Sequence, residues 1–263
     1  MTTTTTTADT AAVAAIDAAA RELHLPAIRE HAGRLANEAQ RAKATYLGYL
    51  ADTLTLEIDD RAERRRARRI HEARFPRLKR LAEFDLAAAP TINQATIATL
   101  AAGGYLDQGD PVVLLGDSGT GKTHLLIALG IAACEQGRSV RYTTCAQLVN
   151  ELVEAADERR LARLIARYGK VALLAIDELG YVQLDNRGAE LLFQVLTERD
   201  EKASIAVASN LPFSEWGQII TDARLVHAVI DRLTFNGHIL ETGHDSYRLR
   251  TSRTRRANTT RSR

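Results

Sequence analysis

Val112-Val-Leu-Leu-Gly-Asp-Ser-Gly-Thr-Gly-Lys-Thr123 is the stretch whose reading decides the fold. Residues Gly116 to Thr123 match the pattern G-x-x-x-x-G-K-[ST], a loop that cradles phosphates. Val112–Leu115 is a short buried-strand signal entering it, and His124 to Glu135 reads as an apolar helix leaving it. Strand, glycine-rich turn and helix together imply a nucleoside triphosphate site. The free N–H groups and positive dipole end of a helix N-terminus suit dense negative charge. Gly116, Gly119 and Gly121 allow the chain to wrap closely around it. The expected nucleotide-binding set is therefore Gly116, Asp117, Ser118, Gly119, Thr120, Gly121, Lys122, Thr123 and His124. Lys122 is expected at the β- and γ-phosphates and the Thr123 hydroxyl at Mg²⁺.

A second apolar run, Val171-Ala-Leu-Leu-Ala-Ile176, delivers Asp177-Glu178. Asp177 is placed at the C-terminal end of a buried strand, where it can hold the same Mg²⁺ through water. Glu178 is expected to orient and polarise the attacking water, which points to ATP hydrolysis rather than storage. Ile205-Ala-Val-Ala208 is another short strand, ending in Ser209-Asn210. Asn210 is either a turn residue or a polar group within reach of the γ-phosphate or its water. Arg224 and Arg232 lie in a helical stretch, Asp222 to Phe235, and each reads as a surface ion-pair residue or as a cation completing a neighbouring subunit's site.

The 263 residues suffice for a full α/β core plus a smaller unit, and 45% hydrophobic content is that of a folded domain. No run approaches a membrane span. The start Met1-Thr-Thr-Thr-Thr-Thr-Thr7 lacks the parts of a secretory signal, so a cytoplasmic protein with no membrane partner and a frayed tail over residues 1–12 is expected. Cys134 and Cys145 lack metal-ligand spacing and read as buried small residues rather than a disulfide. The net charge of +2 hides two basic blocks. Ten Lys/Arg fall between Arg61 and Glu83, including Arg61, Arg64, Arg65, Arg68, Arg69, Arg77, Lys79 and Arg80, and seven arginines with no acid lie from Arg248 onward. Such blocks are the footprint expected of a polyanion partner such as a nucleic acid.

Helical periodicity at Val13, Ile16, Ala20 and Leu23, then from Leu35 through Ile58 with Leu47, Leu50 and Leu54, predicts an all-helical unit over residues 13–83. Its arginine-rich helix runs to about Phe75, before Pro76. Residues 84–250 then alternate strand and helix. Strands are predicted at Ser139–Thr143, Val171–Ile176 and Ser204–Ala208 besides Val112–Leu115, with a last one near His238–Leu240 and Tyr247–Leu249. Repeated β–α alternation predicts an α/β fold, a parallel sheet with helices on both faces. Residues 251–263 form a polar, basic tail.

The order of motifs resembles that of the IstB-like ATP-binding proteins of bacterial insertion sequences. The resemblance rests on Gly116–Thr123 with His124-Leu125, Tyr142-Thr-Thr144, Ile176-Asp-Glu-Leu-Gly-Tyr181, Ser209-Asn-Leu-Pro-Phe-Ser-Glu-Trp-Gly217, Asp231-Arg-Leu233 and Glu241 to Arg248. It covers Leu23 to Arg250. The family is related to the DnaC helicase loaders and DnaA initiators within the AAA+ P-loop ATPases. The resemblance implies a regulatory ATPase that assembles on target DNA as an ATP-dependent oligomer, recruits or stimulates a separate transposase, and so promotes integration. It implies that Asn210 senses the γ-phosphate and that Arg232 acts in trans, with Arg224 a weaker choice. It also marks the helix carrying Arg61, Arg64, Arg65, Arg68 and Arg69 as DNA-contacting or transposase-contacting. A DnaC-like replicative helicase loader is the alternative role. Asp117 departs from the neutral residue frequent at that place, and an acid there is expected to face outward.

Overall fold

The computed structural model describes residues 7–243 and Tyr247. Helices α1 (Thr7–Glu22), α2 (Pro26–Arg41) and α3 (Tyr46–Glu72) come first. They are followed by α4 (Gln94–Ala101), α5 (Gly104–Gln108), β1 (Val112–Leu115), α6 (Lys122–Glu135), β2 (Val140–Thr144), α7 (Cys145–Asp157) and α8 (Leu161–Gly169). Then come β3 (Leu173–Leu179), α9 (Asn186–Arg199), β4 (Ser204–Ser209), α10 (Ala223–Thr234) and β5 (His238–Glu241). A first compact unit ends at Ala67 and a second begins at Arg68, within α3.

In the second unit all five strands are parallel, in the order β2-β3-β4-β1-β5. Every residue of β1 and β4 is buried, which is why these strands read as unbroken apolar runs rather than alternating ones. One face packs on Leu148, Leu152, Val195 and Trp216, the other on Leu125, Leu126 and Leu129 of α6 with Ile97 and Leu100 of α4. Parallel pairing brings the carboxyl ends of β1, β3 and β4 together, so the phosphate loop, Asp177 and Asn210 emerge at one edge. Helix starts are fastened by side chains: Thr144 and Gln147 form a reciprocal capping box on α7, Asp185 caps α9, and Asp222 caps α10.

The first unit is thinly packed. Ala20, Ala27, Ile28 and Ala32 are buried, together with Thr53 and Glu57. Glu57 of α3 accepts the backbone N–H groups of Ala27 (2.9 Å) and Ile28 (3.1 Å), so a carboxylate from one helix satisfies the start of another. Arg61 donates to Glu57 (2.9 Å) and to the His24 carbonyl (2.6 Å), closing the joint. Leu47, Leu50, Leu54 and Ile58 are exposed.

Several local expectations are corrected. Helix begins at Thr7, so residues 7–12 are helical and not a frayed tail; residues 1–6 and 251–263 lie outside the described residues. The helical pattern read from Leu35 through Ile58 is interrupted at 42–45, where Lys43 has a left-handed φ of 51° and the Thr45 hydroxyl accepts the Gly48 N–H (3.1 Å). Apolar periodicity is blind to such a restart. Helix α8 was not predicted, although Leu161, Leu164, Ile165 and Tyr168 carry the spacing. Tyr247 does not extend β5, and residues 248 and 249 lie outside the described residues. Segment 68–83, grouped by sequence with the first helices, packs with the second unit: Tyr142 N–H donates to the Ala73 carbonyl (2.8 Å) and Phe75 meets Tyr142 and Gly130. Cys134 and Cys145 are buried free thiols, as expected, each pushed up to about 12 by burial.

Candidate functional site: a phosphate-loop cleft

The turn between β1 and α6 carries three glycines in left-handed or related conformations, at φ 144° for Gly116, 87° for Gly119 and 104° for Gly121. Gly121 ends the turn as the N-cap of α6. A Cβ on Gly121 would come within 2.8 Å of the Phe84 ring, so glycine is required there by space as well as by dihedral. The loop is also stapled to the segment after β5. Thr242 N–H donates to the Leu115 carbonyl (2.8 Å), Asp117 N–H to Gly243 (3.1 Å) and Tyr247 N–H to Gly119 (3.1 Å). The hydroxyls of Thr120 and Thr242 lie 2.5 Å apart in a buried contact.

The cleft above the loop is lined by Ser118, Gly119, Gly121, Lys122, Thr123 and His124 from the expected set, joined by Asp177, Glu178 and Asn210. Gly116, Asp117 and Thr120 are not among the lining residues; they hold the loop's shape instead. Asp117 is exposed, in keeping with an outward-facing acid. Lys122 donates to the carbonyls of Gly116 (2.6 Å) and Asp117 (2.7 Å). Its cation is thus held across the loop by neutral acceptors, which a phosphate oxygen can outcompete.

Asp177 is buried and held by three donors. Thr123 hydroxyl (3.2 Å) and the Glu178 N–H (2.9 Å) meet Oδ1, and the Tyr142 hydroxyl (2.8 Å) meets Oδ2. Burial, and then the Asp177 carboxylate, push the Tyr142 phenol well above its ordinary range, so it stays a donor. Thr123 and Asp177 present adjacent hard oxygen ligands, the donor set that suits Mg²⁺. Next along, Glu178 has a left-handed φ of 60° at a bulge in the β3–β4 pairing. A non-glycine residue held there stores about 1–3 kcal/mol. The bulge turns Glu178 out into the cleft while Ile176, Asp177 and Leu179 stay buried.

Asn210 is brought in by a built turn. Ser209 Oγ donates to the Leu211 carbonyl (2.9 Å) and accepts the Leu211 N–H (3.1 Å), while the fully buried Trp216 donates its indole N–H to the same carbonyl (3.1 Å). A Cβ on Gly180 would collide with Asn210 Oδ1, so Gly180 makes room for the amide. Asn210 lines the cleft, and its Oδ1 is buried against Gly180 with no protein hydrogen-bond partner. Tyr181 reaches across to Ser118 through a 3.0 Å hydroxyl contact.

Sequence reasoning missed Tyr142, Thr242, Arg77 and Lys79, all of which touch or line this region. The Tyr142–Asp177 contact follows from β2–β3 register, which places Thr143 beside Ile176 and Thr144 beside Asp177, and no local pattern announces it. Arg232 is not in the cleft. It pairs with Asp200 (3.3 Å) and lies 4.5 Å over the Phe193 ring. Arg224 is exposed at the start of α10. On α3, Arg61 is committed to Glu57, Arg64 pairs with Asp60, Arg68 lies 3.8 Å from Glu72, Arg65 is exposed, and Arg69 is half-buried. Among the described residues no helix is long and apolar enough to cross a membrane, and no group of His, Cys, Asp and Glu suits a dedicated metal cage.

The chain is similar to known proteins. The family described as IstB-like ATP binding protein matches residues 18–255. A protein named for ATP binding in insertion sequence IS5376 of Geobacillus stearothermophilus is 35% identical over 231 residues, 88% of this chain and 92% of its own length. One named likewise for insertion sequence IS21 of Pseudomonas aeruginosa is 34% identical over 223 residues, 85% of this chain and 84% of its own. Among solved structures, AMPPCP-bound DnaA from Aquifex aeolicus superposes with a TM-score of 0.54 at 22% identity, over 64% of this chain and 50% of that one, a likeness of fold. The chain belongs to the IstB-like ATP-binding protein family and is a P-loop ATPase.

Proposed function

We propose that the protein is an ATP-dependent, DNA-binding regulator of transposition, in which the nucleotide at this cleft sets how long the protein stays assembled on target DNA. The observation that carries the reading is Glu178, turned out by its left-handed backbone beside Asp177 in a cleft with Lys122 and Asn210. Lys122 and the N–H groups of the loop and the first turn of α6 bind the phosphates. Thr123 and Asp177 are the residues that would hold Mg²⁺, which would neutralise charge on the β- and γ-phosphate oxygens. Tyr142 keeps Asp177 turned toward Thr123. Glu178 accepts a proton from the attacking water as its oxygen bonds to the γ-phosphorus, the β–γ bridge breaks, and ADP retains the bridging oxygen. The Asn210 side chain, at the same cleft, orients that water.

Arg232 completes a neighbouring subunit's cleft, on the analogy of the related loaders. That role requires the ion pair with Asp200 and the contact with Phe193 to yield at the subunit boundary. The exposed arginines of α3, Arg64, Arg65 and Arg68, supply phosphate contacts on double-stranded DNA, with Arg69 beside them in sequence. Arg61 contributes indirectly, by holding the helices together. Contacts of this kind give weak sequence preference and steep salt dependence. The relatives are named for insertion sequences, which favours a transposase as the partner over a replicative helicase. The test is retention of a cognate insertion-sequence transposase on immobilised DNA. Retention that rises with ATP and with Glu178→Gln, and falls with ADP, supports the reading; retention independent of nucleotide sinks it.

A further inference from the structure

Arg77 and Lys79 belong by sequence to the basic block counted above, yet both line the phosphate-loop cleft. The segment that carries them is fastened on either side. Upstream, the Ala73 carbonyl accepts the Tyr142 N–H (2.8 Å), and Phe75 packs on Tyr142 with ring centroids 6.0 Å apart and meets Gly130 of α6. Downstream, the Arg80 carbonyl contacts His124 Nε2 (3.0 Å), Arg80 pairs with Glu135, and Phe84 stacks edge-on against His124 at 5.3 Å. Two anchors on α6 and β2 thus hang residues 76–79 beside the loop. Arg80, the third cation of the segment, is used by Glu135; among the described residues Arg77 and Lys79 have no ion pair or side-chain hydrogen bond. Arg77 lines the cleft together with Asp177 and Glu178, beside which the terminal phosphate and Mg²⁺ would lie.

We propose that Arg77 and Lys79 are triphosphate-binding residues supplied in cis by the 73–84 segment, with Arg77 on the terminal phosphate, so that this segment distinguishes ATP from ADP. The inference rests on the triphosphate reading of the cleft. Electrostatics favours it, because Lys122 is the one cation the phosphate loop itself brings to a cleft that also holds the acids Asp177 and Glu178. A triphosphate there needs further positive charge at short range. Guanidinium is the group best shaped for phosphate oxygens.

The experiment measures dissociation constants of methylanthraniloyl-labelled ATP and ADP for the full chain. Arg77→Ala is expected to weaken ATP about ten-fold or more, the worth of a charge-assisted contact, and ADP less than about two-fold. Arg77→Lys keeps most of the ATP affinity, and Lys79→Ala costs less than Arg77→Ala. Equal weakening of ATP and ADP, or unchanged nucleotide affinity together with a flatter salt dependence of DNA binding, overturns the proposal. Lys122→Ala tells the two layers apart: wild-type affinity for both nucleotides in that variant would mean that the triphosphate reading itself has failed.

Discussion

The two compact units treat the same residue types in opposite ways. In the second unit the leucines of the sheet and of α6 are buried, with Leu114, Leu125 and Leu126 wholly enclosed. In the first, Leu47 is 79% exposed, and Leu50, Leu54 and Ile58 are also open to solvent on α3. Charge follows the same split. The second unit buries Arg199 completely on the carbonyls of Tyr168 and Ser204, with Ala172 at 3.4 Å, and burial pushes its guanidinium down to about 10. Glu57, a buried acid of the first unit, is satisfied by two N–H groups and Arg61. A sheet closed on both faces fixes a catalytic cleft; three helices with small buried residues make a surface. On the proposed function, chemistry falls to the second unit and contact to the first.

That contrast can be broken, and the largest effect belongs to the cleft. Glu178→Gln is expected to lower ATP turnover by about 10²-fold or more while leaving ATP affinity within about two-fold, because the base is lost and the phosphate contacts remain. Steady-state phosphate release beside equilibrium binding checks this; normal turnover would remove Glu178 from its role. Packing comes next. Leu114→Ala should cost about 2–5 kcal/mol in denaturant unfolding, whereas Leu50→Ala should stay within about 0.5 kcal/mol. Equal losses would mean that the leucines of α3 are core after all. The smallest effect concerns the arginines: neutralising Arg64, Arg65, Arg68 and Arg69 should flatten the plot of log affinity for DNA against log salt by about one unit per lost phosphate contact. An unaltered slope would assign these arginines to a protein partner.

Legibility in the sequence follows the same division. β1, the phosphate loop and α6 were readable because strand burial, glycine dihedrals and helix start coincide within a dozen residues. Asp177 and Glu178 were readable as the end of an apolar run, but the bulge that turns Glu178 outward was not, since it depends on pairing with β4. Tyr142 holding Asp177, and Arg77 lining the cleft, are products of register and of a segment folded back on α6. In the first unit, apolar periodicity located helices but did not reveal that Leu47, Leu50, Leu54 and Ile58 are exposed. Spacing reports that a helix has an apolar face, while only packing decides whether anything covers it. The arginine count likewise treated as one block what the fold divides among Glu57, Asp60, Glu135 and the cleft.

The central claim is that nucleotide at the cleft controls assembly on DNA. Its most direct test is the mass of the protein in solution with and without double-stranded DNA, in ATP and in ADP. The account predicts a large complex when ATP and DNA are both present, persisting in Glu178→Gln and dissolving in ADP. The same mass in ATP and ADP, with DNA bound in both, would contradict it.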